Sequence, residues 1–374
     1  MASQAEDQTL DIHYMTIALR LARRGWGHVA PNPAVGCVLV REDKIVGRGW
    51  TQDGGRPHAE TMALQQAGAL AEGATAYVTL EPCSHHGKTA PCSEALIAAG
   101  IQRVVSALQD PDERVNGRGI KLLEDAGIQV TTRVCEAEAL ENNLGFVLAK
   151  TINRPLVSLK MATTLDGKIA TRTGNSKWIT GTEARQYGHM LRSQHDAILV
   201  GIGTALADDP MLNCRVPGLE KYAPGRIVAD SRLRLPLTSN LVKTARDIPL
   251  WIITAPENNP DRIKAFEELG VRILECEPDA SGYPTMKRAL EQLVELGITR
   301  LLVEGGSHLQ ASLVKEGLAD QLYWFRAAKI IGGDGISVLQ SIGLTEVHKA
   351  PALKLVETRR LGEDQMENYL LRNE

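Results

Sequence analysis

The stretch from His58 to Cys92 constrains this chain more than any other. It reads Pro57-His58-Ala59-Glu60, runs through an apolar segment, and closes on Glu81-Pro82-Cys83-Ser84-His85-His86-Gly87-Lys88-Thr89-Ala90-Pro91-Cys92. A zinc ion that activates water needs three protein ligands, an open fourth position and a nearby carboxylate to move protons. His58, Cys83 and Cys92 supply that ligand set, and Glu60, two residues after His58, supplies the carboxylate without ligating. A fold that serves one ion must bring these points together. The pattern predicts a helix starting near His58, a strand over 75–80 and a second helix starting near Pro91, so that His58, Glu60 and Cys92 all sit in first turns. Helix N-termini bear partial positive charge and depress thiol pKa, which favours thiolate at the metal. A buried Cys or a lone His is ordinarily a core residue; the recurrence of the three elements in order carries the metal reading. His85 and His86 lie between the cysteines and are read as pocket residues, because a ligand that close to Cys83 would leave Cys92 without a role.

At 374 residues the chain exceeds what one hydrophobic core usually supports, so two domains are expected. A net charge of -3 argues against a nucleic-acid grip, which requires a basic face, and points to a small-molecule substrate. No segment approaches the roughly 18 to 20 apolar residues of a membrane span, and residues 1–8 are polar rather than signal-like, so a cytoplasmic protein is expected. Cys37, Cys83, Cys92, Cys135, Cys214 and Cys276 are too sparse for a disulfide framework at this length.

Taken in order, an amphipathic helix is predicted over 10–24, with Ile12, Met15, Leu19 and Ala22 at helical spacing and Gly25 at its end. Pro31-Asn32-Pro33 then holds the chain extended before a strand over 35–40. The Asn32 amide, donor and acceptor at once, suits a pyrimidine edge, and an Asn there is equally an ordinary turn former. Strands over 44–50, 75–80, 103–108 and 128–132 complete five that alternate with helices. A helix over 136–150 leads to Thr151-Ile152-Asn153-Arg154-Pro155, where the hydrophobic pattern restarts. The boundary is placed there, giving domains 1–152 and 153–374.

Zinc-dependent base deaminases carry H-x-E followed by P-C-x-x-C. Here eight residues separate the cysteines, and each cysteine follows a Pro. In this the chain resembles the bifunctional deaminase–reductases of riboflavin biosynthesis. The resemblance implies a cytidine-deaminase-like α/β/α domain that deaminates 2,5-diamino-6-(5-phosphoribosylamino)pyrimidin-4(3H)-one, with Glu60 as the proton carrier. It implies that Asn32, Lys88 and Asp110 contact substrate, with Lys88 near the phosphate. Two positions depart from the family's usual pattern: Thr51 replaces a His, and Asp110-Pro111-Asp112-Glu113 replaces Asp-Pro-Asn-Pro. The first removes a polar contact. The second sets a carboxylate near a phosphorylated substrate, which requires Arg114 or Asn116 to compensate.

The second half shows no repeat of the first. It alternates strands over 156–162, 197–200, 226–229, 250–254, 271–275 and 301–304 with helices, among them 182–193. Gly-rich stretches sit at strand ends, where open α/β sheets bind ligands. Glu304-Gly305-Gly306 follows a strand and precedes a helix, a backbone able to cradle a phosphate. Gly201-Ile202-Gly203 falls short of G-x-G-x-x-G, since residue 206 is Leu. These stretches resemble the reductase half of the same family. The resemblance implies a dihydrofolate-reductase-like α/β fold that uses NADPH to reduce a ribosylamino group to ribitylamino. It implies Ala162, Trp178, Thr204, Asp208, Ser231, Gly306, Ser307, His308, Leu309, Gln310, Ala311 and Ser312 near NADPH. Near substrate it implies Ser176, Arg192, Leu212, Arg215 and Glu304. Arg192 and Arg215 suit a phosphate because the guanidinium fork is bidentate, and Lys160 and Asp208 are candidates for proton transfer. A homo-oligomer is expected from the same resemblance. Three other readings discriminate themselves: a nucleoside or tRNA deaminase would lack the long Cys83 to Cys92 insert, a structural zinc module would have four ligands and no need of Glu60, and a non-enzymatic nucleotide binder would bind NADPH without oxidising it.

Overall fold

The computed structural model describes residues 2–86, 90–279 and 282–372. It divides into two compact units, Met1–Asn153 and Arg154–Glu374.

The first unit runs α1 (Ala2–Ala22), β1 (Gly36–Arg41), β2 (Lys44–Trp50), α2 (Ala59–Ala67), β3 (Thr75–Val78), α3 (Cys92–Ala98), β4 (Arg103–Ser106), α4 (Arg118–Asp125), β5 (Gln129–Thr132) and α5 (Glu136–Thr151). Its sheet has the order β2-β1-β3-β4-β5. The β1/β2 and β1/β3 pairs are antiparallel, and β3/β4 and β4/β5 parallel. The period of two along β1 sorts its side chains between the two faces. Cys37 and Leu39 join Ala59, Ala63, Leu96 and Leu123 on one side; Val38 and Val40 join Met15, Ala18 and Leu19 on the other. Gly49 shows why β2 lacks side chains where α2 crosses it. A Cβ there would lie 2.0 Å from the Ala59 carbonyl oxygen, so only glycine lets the first turn of α2, which carries Glu60, press onto the sheet.

The second unit runs β6 (Leu156–Thr164), β7 (Lys168–Ala170), α6 (Thr182–Ser193), β8 (Ala197–Gly201), α7 (Ile202–Asp208), β9 (Gly225–Ala229), α8 (Asn240–Lys243), β10 (Leu250–Thr254), α9 (Pro260–Glu268), β11 (Val271–Glu275), α10 (Met286–Glu295), β12 (Arg300–Glu304), α11 (Ser307–Lys315), β13 (Gln321–Ala327), β14 (Ile336–Ser337), β15 (Ala352–Leu361) and β16 (Asp364–Arg372). A nine-stranded sheet has the order β11-β10-β9-β8-β12-β6-β13-β16-β15. It is parallel from β11 to β13, and β16 and β15 add an antiparallel edge. The parallel strands are apolar along their length, as strands covered on both faces must be: Ile198, Leu199, Val200, Ile227, Val228, Ile252 and Ile253 are all fully buried. Their C-terminal ends align, and Glu304 stands in register with Lys160. No described helix is long and apolar enough to cross a membrane.

Candidate functional site

His58 is the N-cap residue of α2, with extended backbone and no side-chain capping bond, so its imidazole is free to face the sulfurs. His58 Nδ1 lies 3.3 Å from Cys92 Sγ and 3.6 Å from Cys83 Sγ. All three donor atoms fall within 4.8 Å of one another, the one such His/Cys/Asp/Glu cluster among the described residues. Tetrahedral ligation with Zn–S of about 2.3 Å and Zn–N of about 2.0 Å sets neighbouring donors roughly 3.5 Å apart. The spacing and the one-nitrogen, two-sulfur donor set therefore fit zinc and leave a fourth position for a water or substrate.

The two thiols behave as a pair. Cys83 is pulled down to about 4, first by the hydrogen bond from the Cys92 thiol and then, against burial, by those from His58 and the Cys92 backbone N–H. Cys92 is pushed up by the same shared proton. The first N–H of α3 points at the Cys83 sulfur at 3.3 Å, so the helix start supports a thiolate at that ligand. Glu60, 4% exposed, is raised to about 7 by burial and by the neighbouring Cys83, with His58 opposing. A carboxyl poised near neutrality can both accept and return a proton.

His58, Glu60 and Cys83 line a pocket of about 460 Å³ together with Asn32, Thr51, Arg56, Glu81, His85, His86, Asp110, Asp112, Arg114, Phe146 and Lys150. His85 and His86 are thus pocket residues, and Lys88 lies outside the described residues. Asp110, raised to about 6 chiefly by burial, accepts the Asp112 backbone N–H at 2.8 Å. Arg114 compensates Asp112, donating Nε at 2.8 Å and Nη2 at 2.7 Å, and Lys150 Nζ adds a contact at 3.0 Å. Asn116 takes no part in this and accepts from Gln109. The Thr51 hydroxyl is occupied internally, accepting the Val35 N–H at 3.0 Å and donating to the Pro33 carbonyl at 3.1 Å. Glu81, which the sequence reading passed over, accepts four backbone N–H groups, from Asp110, Gly117, Gly119 and Ile120. It fastens the Asp110 loop and the start of α4 beside Cys83. Gly119 is required by that closeness, since a Cβ there would meet the Pro82 carbonyl oxygen at 2.0 Å.

In the second unit, Lys160, Arg192 and Glu304 come together. Arg192 grips Glu304 through Nε at 2.7 Å and Nη2 at 2.9 Å, and Lys160 Nζ is 3.9 Å from the same carboxylate. Burial alone would raise Glu304, but Arg192 and Lys160 outweigh it and hold the carboxyl at about 2. Burial lowers Lys160. Arg215, exposed, donates to His189 Nε2, while His189 Nδ1 and Arg192 Nη1 both reach the Asn213 carbonyl. His189, absent from the sequence reading, thereby links Arg215 and Arg192. Leu212 is buried at the turn before them with φ 51°. Thr204 in α7 packs under Gly305, Gly306 lies against Gly201, and Gln310 donates to the Lys160 carbonyl. Ser307, His308, Leu309, Ala311 and Ser312 form the first turns of α11 from the same strand end. Ser231 follows β9, its carbonyl held by Asn258. Ala162 is on β6, and Ser176 lies in the segment between β7 and α6. Trp178, 63% exposed, stacks on Arg185 at 4.5 Å. Asp208, at the end of α7, has Lys177 3.8 Å away as its charged neighbour.

A buried carboxylate beside an open one-His, two-Cys cluster defines a zinc hydrolase of the base-deaminase kind, joined here to a parallel α/β unit with glycine-rich strand ends. Residues 8–108 match the cytidine and deoxycytidylate deaminase zinc-binding region and residues 155–366 the RibD C-terminal domain, while the riboflavin biosynthesis protein RibD of Aquifex aeolicus is 44% identical over 95% of this chain and 97% of that protein, and that of Escherichia coli 39% over 95% and 97%. Solved structures agree: Acinetobacter baumannii RibD, form 2, is 35% identical with a TM-score of 0.86, and the Thermotoga maritima deaminase/reductase 33% with 0.84, each covering 98% of this chain and 100% of the other. The chain belongs to the RibD family. It is a bifunctional enzyme of riboflavin biosynthesis, with a zinc-binding deaminase region and an NADPH-dependent reductase region.

Proposed function

We propose that residues 1–152 deaminate 2,5-diamino-6-(5-phosphoribosylamino)pyrimidin-4(3H)-one and that residues 153–374 then reduce the ribosyl group of 5-amino-6-(5-phosphoribosylamino)uracil to ribityl. The observation that carries the reading is Glu60, buried and raised to about 7 beside His58, Cys83 and Cys92. The solved Thermotoga maritima relative bears the name of both activities. His58, Cys83 and Cys92 hold the zinc, which when bound supplies the Lewis acidity that makes water a nucleophile near neutral pH. Glu60 accepts the proton that water loses as its oxygen bonds to the amine-bearing carbon, and passes it to the ring nitrogen. It then carries the second proton to the amine, and ammonia leaves as the carbonyl forms. Asn32, Asp110 and Lys88 orient the ring and its phosphoribosyl chain.

In the second half NADPH supplies the reducing equivalent for C1′ of the opened ribosyl chain. Ala162, Trp178, Thr204, Asp208, Ser231 and the segment from Gly306 to Ser312 hold the cofactor; Ser176, Arg192, Leu212, Arg215 and Glu304 hold the substrate. Lys160 and Asp208 move protons. The enzyme works in the cytoplasm; it also forms a homo-oligomer, and the edge strand β15, where Leu353, Leu355 and Val356 are exposed, supports that second reading.

The test follows ammonia release from the zinc-loaded protein with the diaminopyrimidinone, then NADPH absorbance, with Glu60→Ala in parallel. Ammonia followed by NADPH loss is expected of the wild type; Glu60→Ala should release no ammonia yet still oxidise NADPH when given the already deaminated uracil. No ammonia from the wild type overturns the deaminase assignment.

A further inference from the structure

The deaminase pocket contains two separate groups of charge. One surrounds the metal ligands: Glu60 and Cys83 act on His58, and so does Arg56. The other is built around Asp112, whose charged neighbours are Arg114, Lys150 and Asp110, the last accepting the Asp112 backbone N–H at 2.8 Å. The Asp112 carboxyl is 8% exposed and takes three bonds from Arg114, through the backbone N at 3.0 Å and through Nε and Nη2, besides the Lys150 contact. Arg114 comes from the loop before α4. Lys150 comes from the last turn of α5, its Nζ 5.8 Å above the Phe146 ring. One carboxylate thus ties cations from two elements side by side. Arg114 Nη1 has no partner among the described residues. The pocket's other carboxylates are engaged: Glu81 by four backbone N–H groups, Asp110 by the backbone N–H of Asp112, and Glu60 at the metal cluster.

A substrate whose amine lies at Glu60 must place its phosphate elsewhere in the same pocket. Two fixed, adjacent cations, one of them a guanidinium with a free edge, match a phosphate. We propose that Arg114 and Lys150, tied together by Asp112, form the subsite that takes the phosphate of the phosphoribosyl chain, an inference that rests on the deaminase reading above. The ordinary alternative is a surface ion pair without consequence for substrate.

Ammonia release is measured with the phosphorylated substrate and with the same compound stripped of phosphate. Wild type, Arg114→Ala, Lys150→Ala and Arg114→Lys are compared, each checked for zinc content and circular dichroism. A lost charged contact corresponds to roughly ten- to a hundred-fold in affinity. KM for the phosphorylated substrate rises by that factor in both alanine variants, kcat and the dephosphorylated compound change far less, and Arg114→Lys falls between. The same rise for both compounds, or no rise for either, overturns the proposal. Calorimetric titration of the zinc-loaded full chain with ribose 5-phosphate separates this outcome from failure of the deaminase reading. Loss of one binding event in the Arg114→Ala, Lys150→Ala double variant supports the subsite even without ammonia release, and unchanged binding overturns it.

Discussion

Replacing Glu81 with Gln isolates the contribution of one buried carboxylate to the shape of the deaminase pocket. Its Oε1 accepts Gly119 N–H at 2.9 Å and Ile120 N–H at 3.3 Å; its Oε2 accepts Gly117 N–H at 2.9 Å and Asp110 N–H at 3.3 Å. The N-cap residue of α4 is Gly117, which has no side chain to cap with, so Glu81 serves as a remote cap and its charge complements the helix start. Glutamine offers one oxygen and one NH2. Whichever way it turns, one short and one long contact become donor against donor. A charge-assisted bond contributes about 1.5–3 kcal/mol and a stranded buried N–H costs about 1–3 kcal/mol, so discounting the long contact leaves a local loss of about 3 kcal/mol. That corresponds to roughly two decades in the local opening equilibrium. The assay is amide hydrogen exchange on the zinc-loaded chain. Gly117, Gly119 and Ile120 should exchange roughly a hundred-fold faster in Glu81→Gln, by the same conversion, while Val104 and Val105 in β4 keep their protection and zinc stays bound. KM for deamination should rise as the Asp110 loop loosens. Unchanged exchange at the three amides would refute the role given to Glu81.

Two further outcomes follow from the charges described. Stripping zinc with a chelator should abolish ammonia release while NADPH oxidation on already deaminated substrate persists, because His58, Cys83 and Cys92 all belong to the first unit; joint loss of both activities would contradict independent sites. Glu304, held at about 2 by Arg192 and Lys160, lies below the ordinary value of about 4.3 for a Glu. A depressed carboxyl contributes stability that is fully present above the ordinary value and is lost as pH falls from there towards the folded one. Acid unfolding of the second unit should therefore deepen through that window, and Glu304→Gln should remove the effect while costing about 3–5 kcal/mol at neutral pH by leaving two cations without their counter-charge. An identical acid profile in the variant, followed by circular dichroism, would sink this account.

The metal cluster was legible because its chemistry is carried by side chains at short spacing: three ligands and a carboxylate within a few tens of residues, each next to a Pro or a helix start. The elements were legible for a similar reason. The helix expected over 182–193 is α6, and the strand over 271–275 is β11, to the residue. The predicted start of α1 came late, since its first turns are polar and show no periodic stripe. Other parts were hidden by physics that sequence spacing does not carry. Glu81 acts on backbone N–H groups, which leave no residue signature. Lys150 reaches Asp112 across 38 positions. The first N–H of α3 meets the Cys83 sulfur across nine positions, a contact set by tertiary geometry.

The two departures at Thr51 and Asp112 are absorbed in different ways, and the difference bears on how the pocket reads its substrate. Thr51 is 3% exposed and spends both hydroxyl capacities on the backbone at Val35 and Pro33, while its own N–H bonds the Val35 carbonyl. It fastens the segment that presents Asn32 and adds nothing for a ligand to touch. An imidazole could not make the same two short backbone bonds from a Thr-sized space, so the smaller residue exchanges a polar contact for a fixed wall. Asp112 does the reverse. Its charge would repel a phosphate if it stood alone, yet Arg114 and Lys150 together outnumber it, so the carboxylate becomes the post on which two cations are hung. On the proposed reading, Asn32, Asp110 and Lys88 orient the ring and its chain, and the cationic pair takes the chain's anionic end. Neither change reaches the metal cluster, because the hydrogen bonds of Thr51 and Asp112 go to Val35, Pro33, Asp110 and Arg114 rather than to His58, Glu60, Cys83 or Cys92.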